Sequence, residues 1–227
     1  MNIYKNKLLK LFLLILLLLP VKVYSGEIEY EIDGYIFSGT SRNKHINESH
    51  ITILGFTIGE HSLKDIQSKL GNTNILRKEE CSTIQICYSS NLNSDKTIVV
   101  FETDAMGGWD ELTTIYIFSD KANFPNFKQC KKSELISKEI QTKSGLKLGI
   151  NKKQLKGILG EPTNYIKDDL FYIYETKRKM TKEEIEGMSK QWPDVKDNPY
   201  FDEFSYIHAK FIDDKMTYLS ISKSESY

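Results

Sequence analysis

Two well-separated stretches of this chain carry the same short pattern, and a chain built on a repeated unit has to fold that unit twice. The first runs from Ile58-Gly59 through Ser62-Leu63-Lys64-Asp65 to Leu70-Gly71. The second runs from Leu148-Gly149 through Asn151-Lys152-Lys153-Gln154 to Leu159-Gly160-Glu161-Pro162. In each, a capping residue (Ser62, Asn151) is followed three positions on by an acid or amide (Asp65, Gln154), the spacing of a capping box. Leu63, Ile66 and Leu70 give the first helix an apolar stripe, and Ile150 with Leu155 has the spacing of a hydrophobic staple in the second. A Leu-Gly pair stops both helices, glycine accepting the left-handed backbone found there.

Each pattern is followed by β-rich sequence. Strands are expected at 83–88, 97–102 and 112–118 after the first, and at 170–175, 204–212 and 216–222 after the second. Asp213-Asp214 makes the last two a hairpin. The expected organisation is an amino-terminal segment over 26–50, made of a strand within 28–37 and a polar loop over 38–50, then a first unit over 51–144 and a second over 145–227. The connector at 119–144 carries a short helix around 133–140. An insertion at 177–203 has no counterpart in the first unit, and Thr181 with Glu184 caps a helix over 182–191 within it. The fold class is α+β: a tandem repeat of a short helical segment and antiparallel strands, forming a sheet with one open face.

The first 25 residues read as a signal peptide. Lys5, Lys7 and Lys10 precede the apolar run Leu11–Leu19, and Val23-Tyr24-Ser25 offers a cleavage site. The run is short for a membrane span, so the mature protein is expected to be soluble, periplasmic or secreted, without stable membrane insertion. Of 31 basic residues, Lys5, Lys7, Lys10 and Lys22 fall in the leader, leaving 27 against 31 acidic ones. That balance argues against a nucleic-acid partner, which needs a basic face. Export permits a disulfide. Cys87 sits in the strand-like run Ile84–Tyr88, whereas Cys81 follows Lys78-Glu79-Glu80, so Cys87–Cys130 is the favoured pair. Cys81–Cys130, or three reduced thiols, remain open alternatives.

The stretch Leu148–Pro162 resembles the consensus of the β-lactamase inhibitory protein fold and the related SmpA/OmlA outer-membrane assembly lipoproteins: apolar-Gly, polar cap, helix, Leu-Gly-x-Pro. Ile58–Gly71 resembles it with one more residue between its glycines and no proline after Gly71. The resemblance implies a tandem pair of helix-plus-sheet units, like the inhibitor, that grips a protein target with the open sheet face. No lipobox is present, which counts against the assembly-lipoprotein role.

Alternation along the second unit's strands assigns Phe171, Ile173, Ile207, Ala209, Phe211, Leu219 and Ile221 to the helix-covered face. The opposite set, Tyr172, Tyr174, Phe204, Tyr206, His208, Met216 and Tyr218, is aromatic with polar tips, a composition enriched at protein interfaces. The partner-binding residues expected are Tyr172, Tyr174, Tyr206, His208 and Tyr218, joined by Met106 and Trp109 from the glycine-bearing loop Thr103–Asp110. Chemistry is poorly represented. The four histidines form no metal-ligand spacing, and no Gly-x-Ser-x-Gly elbow or phosphate loop is present. Glu102 with Asp104 or Asp110 would in principle supply paired carboxylates for glycoside hydrolysis, but acids near a turn are commonplace. The expectation is a non-enzymatic module with no cofactor and no metal that binds another protein, as an enzyme inhibitor or as an envelope scaffold or outer-membrane assembly component.

Overall fold

Runs of β-branched and aromatic residues, broken by polar turns, build a broad sheet in the computed structural model. It describes residues 29–39, 41–78, 83–105, 107–108, 110–120, 124 and 127–227. The leader, Cys81, Met106 and Trp109 therefore lie outside the described residues.

The chain divides into two units, Met1–Gly39 and Thr40–Tyr227. In the first, β1 (Glu29–Ile32) and β2 (Tyr35–Ser38) form an antiparallel hairpin. Asp33 and Gly34 have φ of 50° and 82°, the left-handed pair that a two-residue hairpin turn requires.

The second unit opens with β3 (Arg42–Asn43), α1 (Glu48–Ile51), β4 (Thr52–Ile53) and β5 (Phe56–Thr57). Helix α2 (Leu63–Leu70) leads into β6 (Leu76–Lys78), β7 (Thr83–Ser90), β8 (Ile98–Thr103) and β9 (Thr114–Phe118). After β10 (Lys131–Ser133), helix α3 (Lys152–Leu159) leads into β11 (Asn164–Ile166) and β12 (Asp169–Lys179). Helix α4 (Lys182–Met188) then precedes β13 (Tyr200–Ile212) and β14 (Lys215–Ser226).

The strand order is β10-β7-β8-β9-β14-β13-β12-β11. β9 and β14 meet antiparallel at its centre, with Phe118 opposite Tyr218 and Thr114 opposite Ser222. The outer edge of β7 receives β6 antiparallel and β10 parallel. The outer edge of β12 receives β11 antiparallel and β3 parallel. The sheet is thus mixed, and the architecture α+β.

All three capping boxes form. Ser62 with Asp65, Asn151 with Gln154 and Thr181 with Glu184 each exchange backbone and side-chain bonds. Leu63, Ile66 and Leu70 of α2, with Leu155 and Leu159 of α3, pack on one side of the sheet. Each helix also ends on a tyrosine. Tyr88 donates its hydroxyl to the Gly71 carbonyl at 2.8 Å, and Tyr172 donates to that of Gly160 at 3.2 Å.

Four expectations are corrected. Residues 133–140 form turns and not a helix: the Ser133 and Ser137 hydroxyls accept from the Leu135 and Glu139 amides, and Lys138 N–H donates to Asp95. Such local side-chain bonds compete with a helical ladder. The strands β12 and β13 run further than expected, because Lys177 pairs with Asp202 and Arg178 with Glu225 beyond the apolar stretch. Helix α4 stops at Met188.

The fourth correction concerns the faces. Tyr172 lies opposite Ile207 and Ile173 opposite Tyr206, and directly opposed residues share a face. Tyr172, Tyr174 and Met216 therefore belong to the helix-side core with Ile207, Ala209, Phe211, Leu219 and Ile221. Phe171 and Ile173 lie on the opposite side. The irregularity in pairing at Lys210/Phe211 shifts the register, so Met216 and Leu219 join the same core.

Candidate functional site

The face turned away from the helices gathers aromatic rings from four neighbouring strands. Tyr116 and Phe118 come from β9, Tyr218 from β14, Phe204, Tyr206 and His208 from β13, and Phe171 from β12. Phe118 is 5.1 Å from Tyr218 by ring centroids, Tyr218 is 5.4 Å from His208, and His208 stacks on Phe171 at 4.2 Å. Tyr116 stacks beside Phe118 at 6.3 Å, and Phe204 lies 6.2 Å from Tyr206. The ladder exists because residues opposed across antiparallel strands bring their rings within reach of one another.

Of the expected contact residues, the structure brings Tyr206, His208 and Tyr218 together on this face. His208 and Tyr218 are buried there, and Tyr206 is half-buried. His208 Nε2 lies 3.3 Å from an Asp169 carboxylate oxygen, and Lys210 places its ammonium 5.3 Å from the Tyr218 ring centre. Tyr172 and Tyr174 are elsewhere: both are buried against the helices, where Arg42 spreads over their rings at 5.2 and 5.5 Å. Burial pushes the hydroxyl pKa of both upward, with the Arg42 charge opposing.

On the β7–β9 half of the same face, Cys87 and Cys130 form a disulfide with a Cα–Cα distance of 4.7 Å. Cys87, Ile98, Val100, Phe118, Phe124 and Tyr218 pack as a second apolar cluster beside it. This is the pair that the strand setting of Cys87 favours in the sequence.

The carboxylates considered for hydrolysis have separate engagements. Glu102 is buried, accepting from the Tyr116 hydroxyl at 2.9 Å and from the Gln85 amide. Asp104 accepts from the Gly107 amide, and Asp110 pairs with Lys64 at the surface. Among the described residues, no group of three or more His, Cys, Asp or Glu side chains is placed to hold a metal ion. No helix among them is long and apolar enough to cross a membrane.

An ionic cluster that no local sequence pattern marks lies at the far ends of β12, β13 and β14. The Arg178 guanidinium bonds both Glu225 oxygens at 2.8–2.9 Å and both Glu184 oxygens at 2.9–3.1 Å. The Glu184 bonds, then the Glu225 bonds, raise the Arg178 pKa, while Arg178 holds Glu184 down at about 2. The buried Glu203 carboxylate takes His45 at 3.1 Å and Lys223 at 3.2 Å. Glu111 is pushed upward by burial and then by the Glu225 charge. Only the Thr181–Glu184 cap was legible; the long-range partners were not.

No family model, no curated protein and no solved structure matches this chain.

Proposed function

We propose that the mature chain is an exported, non-enzymatic module that binds another protein through the face turned away from its helices, and that it inhibits a secreted or envelope enzyme. The aromatic ladder from Tyr116 to Phe171 carries this reading. Rings with polar tips give large contact area at low conformational cost, which is why they concentrate at interfaces. Tyr206, Phe204 and Tyr116, half-buried, are its contact residues, and the buried Phe171, His208 and Tyr218 form the floor beneath them. The Cys87–Cys130 bond supports export, since disulfides persist in oxidising compartments.

The same proposal treats the long unit as a duplication, in line with the resemblance carried by Leu148–Pro162. Several pairs of features support it. Gly59 N–H bonds the Leu112 carbonyl just before β9, and Gly149 N–H bonds that of Met216 at the start of β14. Leu112 N–H returns to His61, and Met216 N–H to Ile150. The tyrosine-to-glycine bonds at Gly71 and Gly160 match as well. In this reading β3, ahead of the first copy, completes the edge of the second, while β10, ahead of the second copy, completes the edge of the first. Neither copy is then whole without the other.

The test is titration of the mature protein against a panel of secreted and envelope hydrolases. Stoichiometric inhibition, lost in Tyr206→Ala at unchanged melting temperature, is the expected result. No inhibition, with co-fractionation with membranes, transfers the reading to an envelope scaffold.

A further inference from the structure

The long unit contains two corners built on the same hydrogen bonds. At the first, Gly59 N–H bonds the Leu112 carbonyl and Lys223 N–H bonds that of Thr113. At the second, Gly149 N–H bonds the Met216 carbonyl and Ser119 N–H bonds that of Thr217. The first corner is closed by its own side chains. A Cβ on Gly59 would lie 3.7 Å from a Glu111 carboxylate oxygen and 3.9 Å from the Lys223 side chain, whose ammonium reaches on to Glu203 at 3.2 Å. The second corner lacks both closures. Lys215 stands in place of Glu111 and Ser119 in place of Lys223, and nothing lies within 4 Å of the same point on Gly149. The space left open there is a cavity of about 600 Å³.

The charge of the wall says what fits. Lys96, Lys138, Lys147 and Lys215 line the cavity against Asp95 and Glu139, an excess of two positive charges. Glu139 is taken by Lys147 at 2.9 Å. The Asp95 oxygens accept from the Thr97 and Lys138 backbone amides at 2.9 and 2.7 Å. Extending the count two residues along the chain from every lining position gives eight lysines against five acids. The excess persists when Lys152 and Lys156 are set aside with their own partners, Asp168 and Glu161. The buried Leu148, Ile150 and Met216 give the same cavity an apolar side. A concave site with an apolar wall and a few charged groups is the ordinary form of a small-molecule site.

We propose that the open corner binds a small organic dianion, a phosphomonoester or a dicarboxylate, held by Lys96, Lys138 and Lys215 with its apolar part against Leu148 and Met216. The occupant supplies the negative charge that Glu111 supplies at the closed corner, and charge-assisted bonds from ammonium groups to its oxygens hold it. None of these residues belongs to the aromatic face, so the test of this site is independent of the function proposed above.

The test is titration of the full mature chain with phenyl phosphate, phthalate and benzylamine, followed by amide magnetic resonance. Saturable shifts at the Lys96, Ser119, Lys138 and Gly149 amides are expected for phenyl phosphate or phthalate, and the tighter of the two identifies the anionic group. Lys96→Gln/Lys215→Gln should weaken binding by about ten-fold. High salt should weaken it too. Both lysines are exposed, so the melting temperature of that variant should match the parent's. Ser119→Lys/Lys215→Glu rebuilds the charges of the closed corner and should abolish binding. No saturable shift with either dianion, shifts confined to residues away from the cavity, equal affinity in both variants, or tighter binding of benzylamine would each overturn the proposal.

Discussion

Replacing Tyr172 and Tyr206 by alanine separates the two faces of the sheet. Tyr172 is fully buried beneath α3, and its hydroxyl donates to the Gly160 carbonyl that ends that helix. Truncating a buried aromatic costs about 3–5 kcal/mol through lost transfer energy and the cavity left behind. Tyr172→Phe removes only the hydrogen bond and should cost about 1 kcal/mol. For a domain of this size each kcal/mol shifts the melting temperature by roughly 2–4 °C. Tyr172→Ala should therefore melt on the order of 10 °C lower, and Tyr172→Phe about 2–4 °C lower. Tyr206, half-buried on the other face, should cost less than half as much as Tyr172 on truncation. Calorimetric or urea unfolding of the three variants decides the matter. A large loss from Tyr206→Ala beside a neutral Tyr172→Ala would refute the assignment of faces.

Cys87→Ser should destabilise the protein by at most about 4 kcal/mol, the loop-entropy value for a separation of 43 residues, and parent and variant should converge in reductant. Gly157→Ala should stabilise by about 0.5–1 kcal/mol, since Gly157 is inside α3 with open space where a Cβ would sit. Gly160→Ala should instead destabilise by about 1–2 kcal/mol, because its φ is +79°. Glu184 is depressed to about 2, so its contribution is present above the ordinary carboxylate range and is lost as pH falls from about 4.5 towards 2. Glu184→Gln should flatten that part of the stability–pH curve in acid unfolding monitored by circular dichroism. Tyr88 is raised to about 12 by burial, so its contribution is complete below pH 10 and disappears as pH climbs to about 12. Ultraviolet titration should show it ionising late, and Tyr88→Phe should remove that late phase.

What could be read from the sequence was local. A capping box spans four residues, so Ser62–Asp65, Asn151–Gln154 and Thr181–Glu184 announce helix starts wherever the chain goes afterwards. Hairpin turns such as Asp213-Asp214, both at positive φ, are local as well. The faces were not, because alternation gives the parity within one strand and says nothing about parity between strands. Tyrosine composition then pointed the wrong way on β12: Tyr172 looks like a surface residue until its hydroxyl finds the Gly160 carbonyl, a partner twelve residues back and one layer above. Residues 133–140 have helical spacing in Ile136 and Ile140, but serine hydroxyls and Asp95 take the amides a helix would use. Arg178 meets Glu225 across a separation of 47 residues, which no short window contains.

The most direct measurement is affinity capture from envelope and culture-medium extracts with the mature protein and its Tyr206→Ala variant, followed by titration of the captured partner. The account predicts a partner that forms a one-to-one complex with the parent and binds Tyr206→Ala much more weakly, although both proteins are equally folded. Equal binding by both, or no partner for either, would contradict it.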